Sequence, residues 1–586
     1  MSILFKKVDY NLQSLIHQID MGTIGLPDIQ RPFVWKDTKV RDLFDSMYKG
    51  YPVGYFLFWE NGLSNSSRSI GTDGKQKTPD LLIVDGQQRL TSLYAVTRAK
   101  EIIRESFKKE NIVISFKPID EKFEIPNAAS RRSAEYIQNI SEVFAPNANL
   151  FTITNNFISK LQESKELSEE EITKIQHNIQ RLKNLENYPF SAMELNAHID
   201  EEQVADVFVR INSRGQKLNM ADFILTLMSV FWDEGRKDIE RFCAEARKPD
   251  KTKATAFNYI IEPRPDQMLR VAVGLGFRRA RLKYVYSILR GKDLETEKFS
   301  DEKRIEQFEV LKKALAKTLD VQNFHDFLKA IHLAGFIRGD YISSKNNLLY
   351  SYVFFLIGRI QYNVNLHDLK NMIARWFFMC TLTGRYTGSP ESQMEVDLAR
   401  FREITTSEAF MNELDTIITN AISDDFWTTL LPIDNLATSS STSPQLYAYY
   451  ASLYILDAKG LFSNLKISDL LQQGIRAKKS ALERHHLFPR SYLQQIGYSS
   501  QRDRNQIANY ALIEWDDNIS ISNKQPSEYL PYYAGRFDAE ELNKMYYWHC
   551  LPQGWENMDY RDFLVERRRL MAHLIKDAFE VLKQRQ

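Results

Sequence analysis

Apolar residues recur with two different periods over the first 235 positions. In 38–49, Val40, Leu43, Phe44 and Met47 fall on one side of a helix, and Gly50-Tyr51-Pro52 ends it. Residues 53–59 and 81–84 read as strands, the second buried on both faces. The latter turns at Asp85-Gly86 into a helix over 87–99, and 111–125 suggests a hairpin. Helices are expected over 201–211 and 219–232, around the loop 212–215; Asn219 and Asp222 resemble a capping box.

From about 236 to 430 the period is helical throughout, as in 305–319 and 324–337. The polar run 435–444 (Asn-Leu-Ala-Thr-Ser-Ser-Ser-Thr-Ser-Pro) reads as a linker. Helices follow, then strand patterns at 482–488 and 509–514, a short helix from Trp515, and a C-terminal helix with Arg567, Arg568 and Arg569. There is no internal repeat. The expectation is an α+β multidomain protein: a mixed α/β domain at 1–235, a helical middle at 236–434, and a mainly helical domain at 435–586.

Composition narrows this picture. A chain of 586 residues is too long for one core, and 43% hydrophobic with 26% charged residues describes an ordinary folded protein. A formal net charge of +1 excludes a bulk-basic nucleic-acid binder, so any such contact must come from local basic surface. Cys243, Cys380 and Cys550 are far apart, which argues for a reducing compartment and against a disulfide framework or zinc knuckle. Residues 1–11 lack the apolar stretch of a signal peptide, and no apolar run approaches the ~18 residues of a membrane span. A cytoplasmic, soluble protein is expected.

The densest chemistry lies in Glu483-Arg484-His485-His486-Leu487-Phe488-Pro489. Adjacent histidines alternate across a strand, so one can face a cation while the other is aimed elsewhere. Metal-assisted phosphodiester cleavage needs that division, with a ligand on one side and a neutral imidazole on the other to take a proton from water. Asn509 and Asn518 follow at a spacing of nine, and seven basic residues against two acidic ones between Arg476 and Arg504 leave a local net of +5. A His-His pair alone is commonly structural; the combination with both asparagines, Pro489 and the basic flank points to a nuclease. His332, His549 and His573 are assigned to packing or surface.

The second sharp feature is Ile83-Val84-Asp85-Gly86-Gln87-Gln88-Arg89. A strand that delivers Asp-Gly to a helix start exposes unpaired amides at the positive end of the dipole, a natural anion site. Arg89 can fork onto phosphate oxygens, Asp85 can hold a cation or water, and Gln87 and Gln88 can orient water. The bland alternative is a tight turn with Asp as a cap. Arg31 with Phe33 and Trp35, and Arg210 with Arg214 at a glycine-bearing turn, are candidates to join this site. Each also fits a surface stack or a solvated helix.

These three stretches, in this order, resemble the DGQQR-motif domain of GmrSD-type restriction proteins, which is related to the ParB/sulfiredoxin fold. The stretches 482–488 and 509–514, with the segment from Trp515 onwards, resemble the ββα-metal (HNH) nuclease domain fused to it in that family, whose relatives include BrxU and SspE. The resemblance spans about 8–235 and 440–580, and Leu382-Thr383-Gly384-Arg385-Tyr386 also looks familial. It implies a type IV, modification-dependent anti-phage DNA endonuclease. His486 would be the general base, His485 the first metal ligand, and Asn509 the brace. Asn518 would be the second ligand, with Asn523 competing for that role. The cation would be Mg²⁺ or Mn²⁺. The N-terminal domain would bind and hydrolyse an NTP through Asp85, Gly86, Gln87, Gln88 and Arg89, with Arg31, Arg210 and Arg214 as further contacts; no GxxxxGK[ST] loop is present. Implied substrates carry glucosylated or otherwise modified cytosine. A phosphorothioate-sensing, SspE-like nicking enzyme and a ParB-like nucleotide switch with a degenerate HNH domain stand as alternatives. With one nuclease site per chain, double-strand cutting requires two copies, as in a homodimer, or two successive nicks.

Overall fold

A computed structural model of the chain describes residues 4–25, 33–60, 79–104, 108–199, 203, 204, 207, 220–293, 298–470 and 482–585. It is α+β and mostly helical. The chain folds as two compact units, Met1–Lys237 with Tyr286–Arg304, and Asp238–Val285 with Ile305–Gln586.

The first unit is built on strands β1 (Phe5–Asn11), β2 (Ile24–Gly25), β3 (Phe56–Glu60) and β4 (Leu81–Asp85). Four short strands follow, β5 (Glu101–Ile103), β6 (Lys109–Asn111), β7 (Ser115–Lys117) and β8 (Lys122–Glu124), and then β9 (Pro189–Leu195). The main sheet has the order β1-β9-β3-β4-β2. β3 and β4 run antiparallel through its middle, and β9 lies parallel to β3. Helix α1 (Leu12–Asp20) starts at a reciprocal Asn11–Ser14 capping box. Helix α2 (Asp37–Tyr48) buries Val40, Leu43, Phe44 and Met47, the stripe its period predicts. The hairpin expected in 111–125 is β7–β8, with Phe116 opposite Phe123.

One sheet face packs Phe56, Phe58 and Phe190 into the main core. On the other face Trp59 meets Phe223 and Tyr286, with ring centroids 6.2 and 6.0 Å away. The strand expected at 53–59 starts only at Phe56. Gly54 sits at φ +91°, and the carbonyls of Val53 and Tyr55 accept from Arg89 rather than from a neighbouring strand. Most of the expected helix at 201–211, and the Asn219–Asp222 cap, fall on residues or side chains outside those described.

The second unit is helical apart from one strand pair. Helices Lys345–Leu356 and Leu366–Thr383 are buried nearly all round, as their broad apolar faces require. Arg385 and Tyr386 acquire a structural role here. Arg385 grips the fully buried Asp397 with Nε at 2.9 Å and Nη2 at 2.5 Å, and the Tyr386 hydroxyl donates to the same carboxylate at 2.5 Å. The Ser-rich run 435–444 lies within this unit. Its Thr438 carbonyl accepts from the Ile507 amide at 2.8 Å, and that of Ser441 from Arg484 Nη1 at 2.8 Å. The three cysteines are free and buried. No helix among the described residues is long and apolar enough to cross a membrane.

Candidate functional site

Strand β10 (Leu482–His486) pairs antiparallel with β11 (Tyr510–Glu514), His485 lying opposite Ala511 and His486 opposite Tyr510. The helix Trp515–Ile521 follows β11 directly. β11 is buried along most of its length and also bridges Leu461. This explains a sequence of Tyr-Ala-Leu-Ile rather than an alternating one. β10 alternates: Glu483 and His485 share one face, Arg484 and His486 the other.

On the first face, His485 Nδ1 lies 2.8 Å from Asn518 Oδ1, one turn into the helix. The Asn518 amide donates through Nδ2 to Glu483 Oε2 at 2.6 Å. His485 is buried, and its Nε2 has no hydrogen-bond partner. Burial pushes its imidazole down to about 4, against the opposing influence of Asn518. Asn523 is exposed beyond the end of the helix at Ile521.

On the second face, two groups meet His486 Nε2. Arg490 Nε donates to it at 3.2 Å, and Asn505 Oδ1 lies 3.2 Å away. The first contact needs a lone pair on Nε2 and the second a proton, so they select opposite tautomers. Burial first, and then the Arg490 guanidinium, hold this imidazole down at about 4, neutral at physiological pH. Its ring stands edge-on to Tyr510 at 4.7 Å.

Asn509 is fully buried in the turn before β11. Its Oδ1 accepts from the Phe488 amide at 2.9 Å, and its Nδ2 donates to the carbonyls of Phe488 at 3.0 Å and Arg504 at 3.2 Å. The Asn509 carbonyl also accepts from the Leu487 amide at 2.9 Å, and the Tyr529 hydroxyl donates to the Leu487 carbonyl at 2.7 Å. The chain leaving the two histidines is thus pinned to the start of β11.

Beneath it lies Arg567, which the sequence places in a basic helix face and the structure places in the core. Its guanidinium is fully buried and donates to the carbonyls of Ala508 at 2.5 Å, Tyr510 at 2.7 Å and His549 at 3.1 Å. The sequence carried a signal for this. Phe563, Arg567, Met571 and Leu574 fall on one stripe of the helix Tyr560–Gln584. Glu483, Arg490, Asn505 and Tyr529 are further residues that spacing alone did not bring to this site.

Among the described residues no three His, Cys, Asp or Glu side chains gather as a metal-binding group. The His485–Asn518 pair nevertheless fits a divalent cation. Its imidazole nitrogen and amide oxygen are both donors that such a cation takes, and they lie side by side at the 2.8 Å of a hydrogen bond. Of the basic flank, Arg484, Arg490 and Arg502 are exposed; Arg476, Lys478 and Lys479 lie outside the described residues.

In the first unit, β4 delivers Asp85 to Gly86, which caps α3 (Gln87–Thr97) at φ +94°. A Cβ there would come within 2.5 Å of the Phe56 ring. Gln88 Oε1 accepts from the Val34 amide at 3.1 Å, which holds the 33–35 stretch beside this turn. Arg104, which the sequence did not single out, holds the same stretch by donating to the Trp35 carbonyl at 2.7 Å. Arg89 Nη1 donates to the carbonyls of Val53 at 2.7 Å and Tyr55 at 3.1 Å, with the guanidinium 5.3 Å over Phe56. Burial lowers its pKa, and the charge of Asp85 opposes that shift. Arg31, Arg210 and Arg214 lie outside the described residues.

Two comparisons bear on this arrangement. The chain is 24% identical over 563 residues to the uncharacterized protein MJ0686 of Methanocaldococcus jannaschii, a match covering 89% of this chain and 86% of the archaeal protein. Residues 12–229, which include the Asp85–Arg89 turn, match the family model described as GmrSD restriction endonuclease, N-terminal domain. The N-terminal part of the chain is thus similar to the N-terminal domain of GmrSD restriction endonucleases.

Proposed function

We propose that the protein is a modification-dependent DNA endonuclease whose cutting centre is an HNH-type site formed by β10, β11 and the helix Trp515–Ile521. The observation that carries this is the opposed aim of the two histidines. His485 meets Asn518 on one face of β10, and the neutral His486 turns Nε2 to Arg490 and Asn505 on the other. His486 accepts a proton from water as that water attacks phosphorus, and the P–O ester bond breaks with the electron pair leaving on the ester oxygen. Asn509 keeps the loop after His486 in register with β11. A divalent cation, Mg²⁺ or Mn²⁺, held by His485 and Asn518 would stabilise the charge that develops on the phosphate oxygens. Arg484, Arg490 and Arg502 steer the DNA backbone to the site.

The strand-to-helix turn at Asp85–Arg89 is read as the nucleotide site, with the amides at the start of α3 and Arg89 facing phosphates. NTP binding and hydrolysis there license cutting. The substrate is phage DNA bearing modified cytosine, for which glucosylated hydroxymethylcytosine is the first choice.

The test is cleavage of glucosylated phage DNA beside its unmodified counterpart in Mg²⁺ and in Mn²⁺, with and without NTP. Wild type should cut the modified DNA selectively and His486→Ala should not. Equal cutting of both DNAs would remove the modification dependence. Undiminished cutting by His486→Ala would remove the site.

A further inference from the structure

We propose that Glu483 is a positioning residue of the cation site: it supplies the negative charge that the direct ligands lack and sets which end of Asn518 faces the cation. This rests on the cation-site reading of His485 and Asn518 given above.

Glu483 and His485 are two positions apart on β10 and project to the same face. Glu483 Oε2 accepts from Asn518 Nδ2 at 2.6 Å, and Asn518 Oδ1 lies 2.8 Å from His485 Nδ1. An amide has one end that can ligate and one that cannot. An ionised carboxylate only accepts, so Glu483 draws Nδ2 to itself and turns Oδ1 toward His485. The bond therefore selects the ligating rotamer of Asn518 before any cation arrives.

Charge supplies the second half of the argument. An imidazole and an amide are neutral donors, whereas Mg²⁺ and Mn²⁺ favour carboxylate oxygens. The His485–Asn518 pair therefore brings no negative charge of its own. No other carboxylate among the described residues hydrogen-bonds either side chain. Asp517, beside Asn518 in the helix, is paired with Arg536 at 3.2 Å. Glu483 returns the missing charge one bond behind the ligand, and outer-shell carboxylates commonly tune a metal site from there.

The experiment measures Mn²⁺ binding to the full-length protein by the loss of the free-ion paramagnetic resonance signal. It compares wild type, Glu483→Gln, and the double variant Glu483→Gln/Asn518→Asp. Glu483→Gln should weaken binding by roughly 10- to 100-fold with little change in thermal midpoint. The double variant keeps one charge and one donor with their places exchanged, and should return to within a few-fold of wild type. It decides the question even where the single variant folds poorly. Wild-type affinity in Glu483→Gln, or a double variant as weak as the single, overturns the role of Glu483 alone. A wild type that takes up no Mn²⁺ overturns the cation site itself, and the proposal with it.

Discussion

Asn509 closes on Phe488 from both sides: its side-chain oxygen accepts from the Phe488 amide at 2.9 Å, and its side-chain nitrogen donates to the Phe488 carbonyl at 3.0 Å. Both peptide groups are buried, so Asn509→Ala would strand a donor and an acceptor, each at a cost of about 1–3 kcal/mol. The same bonds carry the chain away from His486. Asn509→Ala should therefore lower the thermal midpoint, and cut DNA at least ~10²-fold more slowly at a temperature where it is still folded. Its Mn²⁺ affinity should stay close to wild type, because His485 and Asn518 are untouched. Full activity in the folded variant would end the bracing role.

The Arg567 guanidinium bonds the carbonyls on both sides of Asn509, at Ala508 and Tyr510. A lysine ammonium cannot span three carbonyls in a fixed plane, so Arg567→Lys should cost about 2–4 kcal/mol despite keeping the charge. Asn509 and Arg567 hold one short segment, so their losses should not add. Urea unfolding of wild type, both single variants and the double variant should give a coupling of about 0.5–3 kcal/mol. Additivity within experimental error would mean that the two act independently.

The periodic elements were legible because burial writes itself into spacing. Helix α2 and strand β4 lie within about a residue of where their apolar residues put them. The pairing of residues 482–486 with 510–514 was legible too, as was the helix after it. What the spacing hid were long-range polar bonds. Nothing local announces that Glu483 meets a side chain 35 positions away, or that Arg567 in a basic-looking run is buried against carbonyls 57 and 59 positions away. The strand at residues 53–59 came out short for the same reason, since Arg89 occupies the Val53 and Tyr55 carbonyls.

His549 makes the fold acid-sensitive. It is wholly buried, donates through Nε2 to the Lys459 carbonyl at 3.0 Å, and has no partner at Nδ1. Burial above all pushes its pKa down to about 3; the bond to Lys459 opposes this and the Arg567 charge adds to it. The unfolded chain takes up this proton near pH 6.5, while the folded chain resists it until about pH 3. Between those values the unfolded state binds more protons, so stability falls as pH falls, by up to about 1.4 kcal/mol per unit. Urea midpoints measured from pH 7 to 5 should drop for wild type and drop less for His549→Gln. Parallel curves would assign the acid sensitivity to other groups.

Arg89 gives the sharpest test of the nucleotide site, because one of its nitrogens is already committed to the fold. Nη1 serves the Val53 and Tyr55 carbonyls, and a Cβ at Gly54 would come within 2.5 Å of that same nitrogen. A phosphate at the start of α3 must therefore be met by the rest of the fork while Nη1 anchors it. Lysine offers one ammonium and cannot do both. Arg89→Lys should bind a fluorescent NTP analogue at least ~10-fold more weakly, consistent with losing a charge-assisted bidentate contact. NTP-stimulated cleavage should fall in step, while Mn²⁺ binding at His485 and Asn518 stays within about twofold of wild type. Gly54→Ala, which displaces the guanidinium without removing it, should show the same pattern more weakly. Unchanged NTP affinity in both variants would leave Arg89 as a clasp for the 53–55 segment, and the turn at Asp85–Gly86 as a capped strand end.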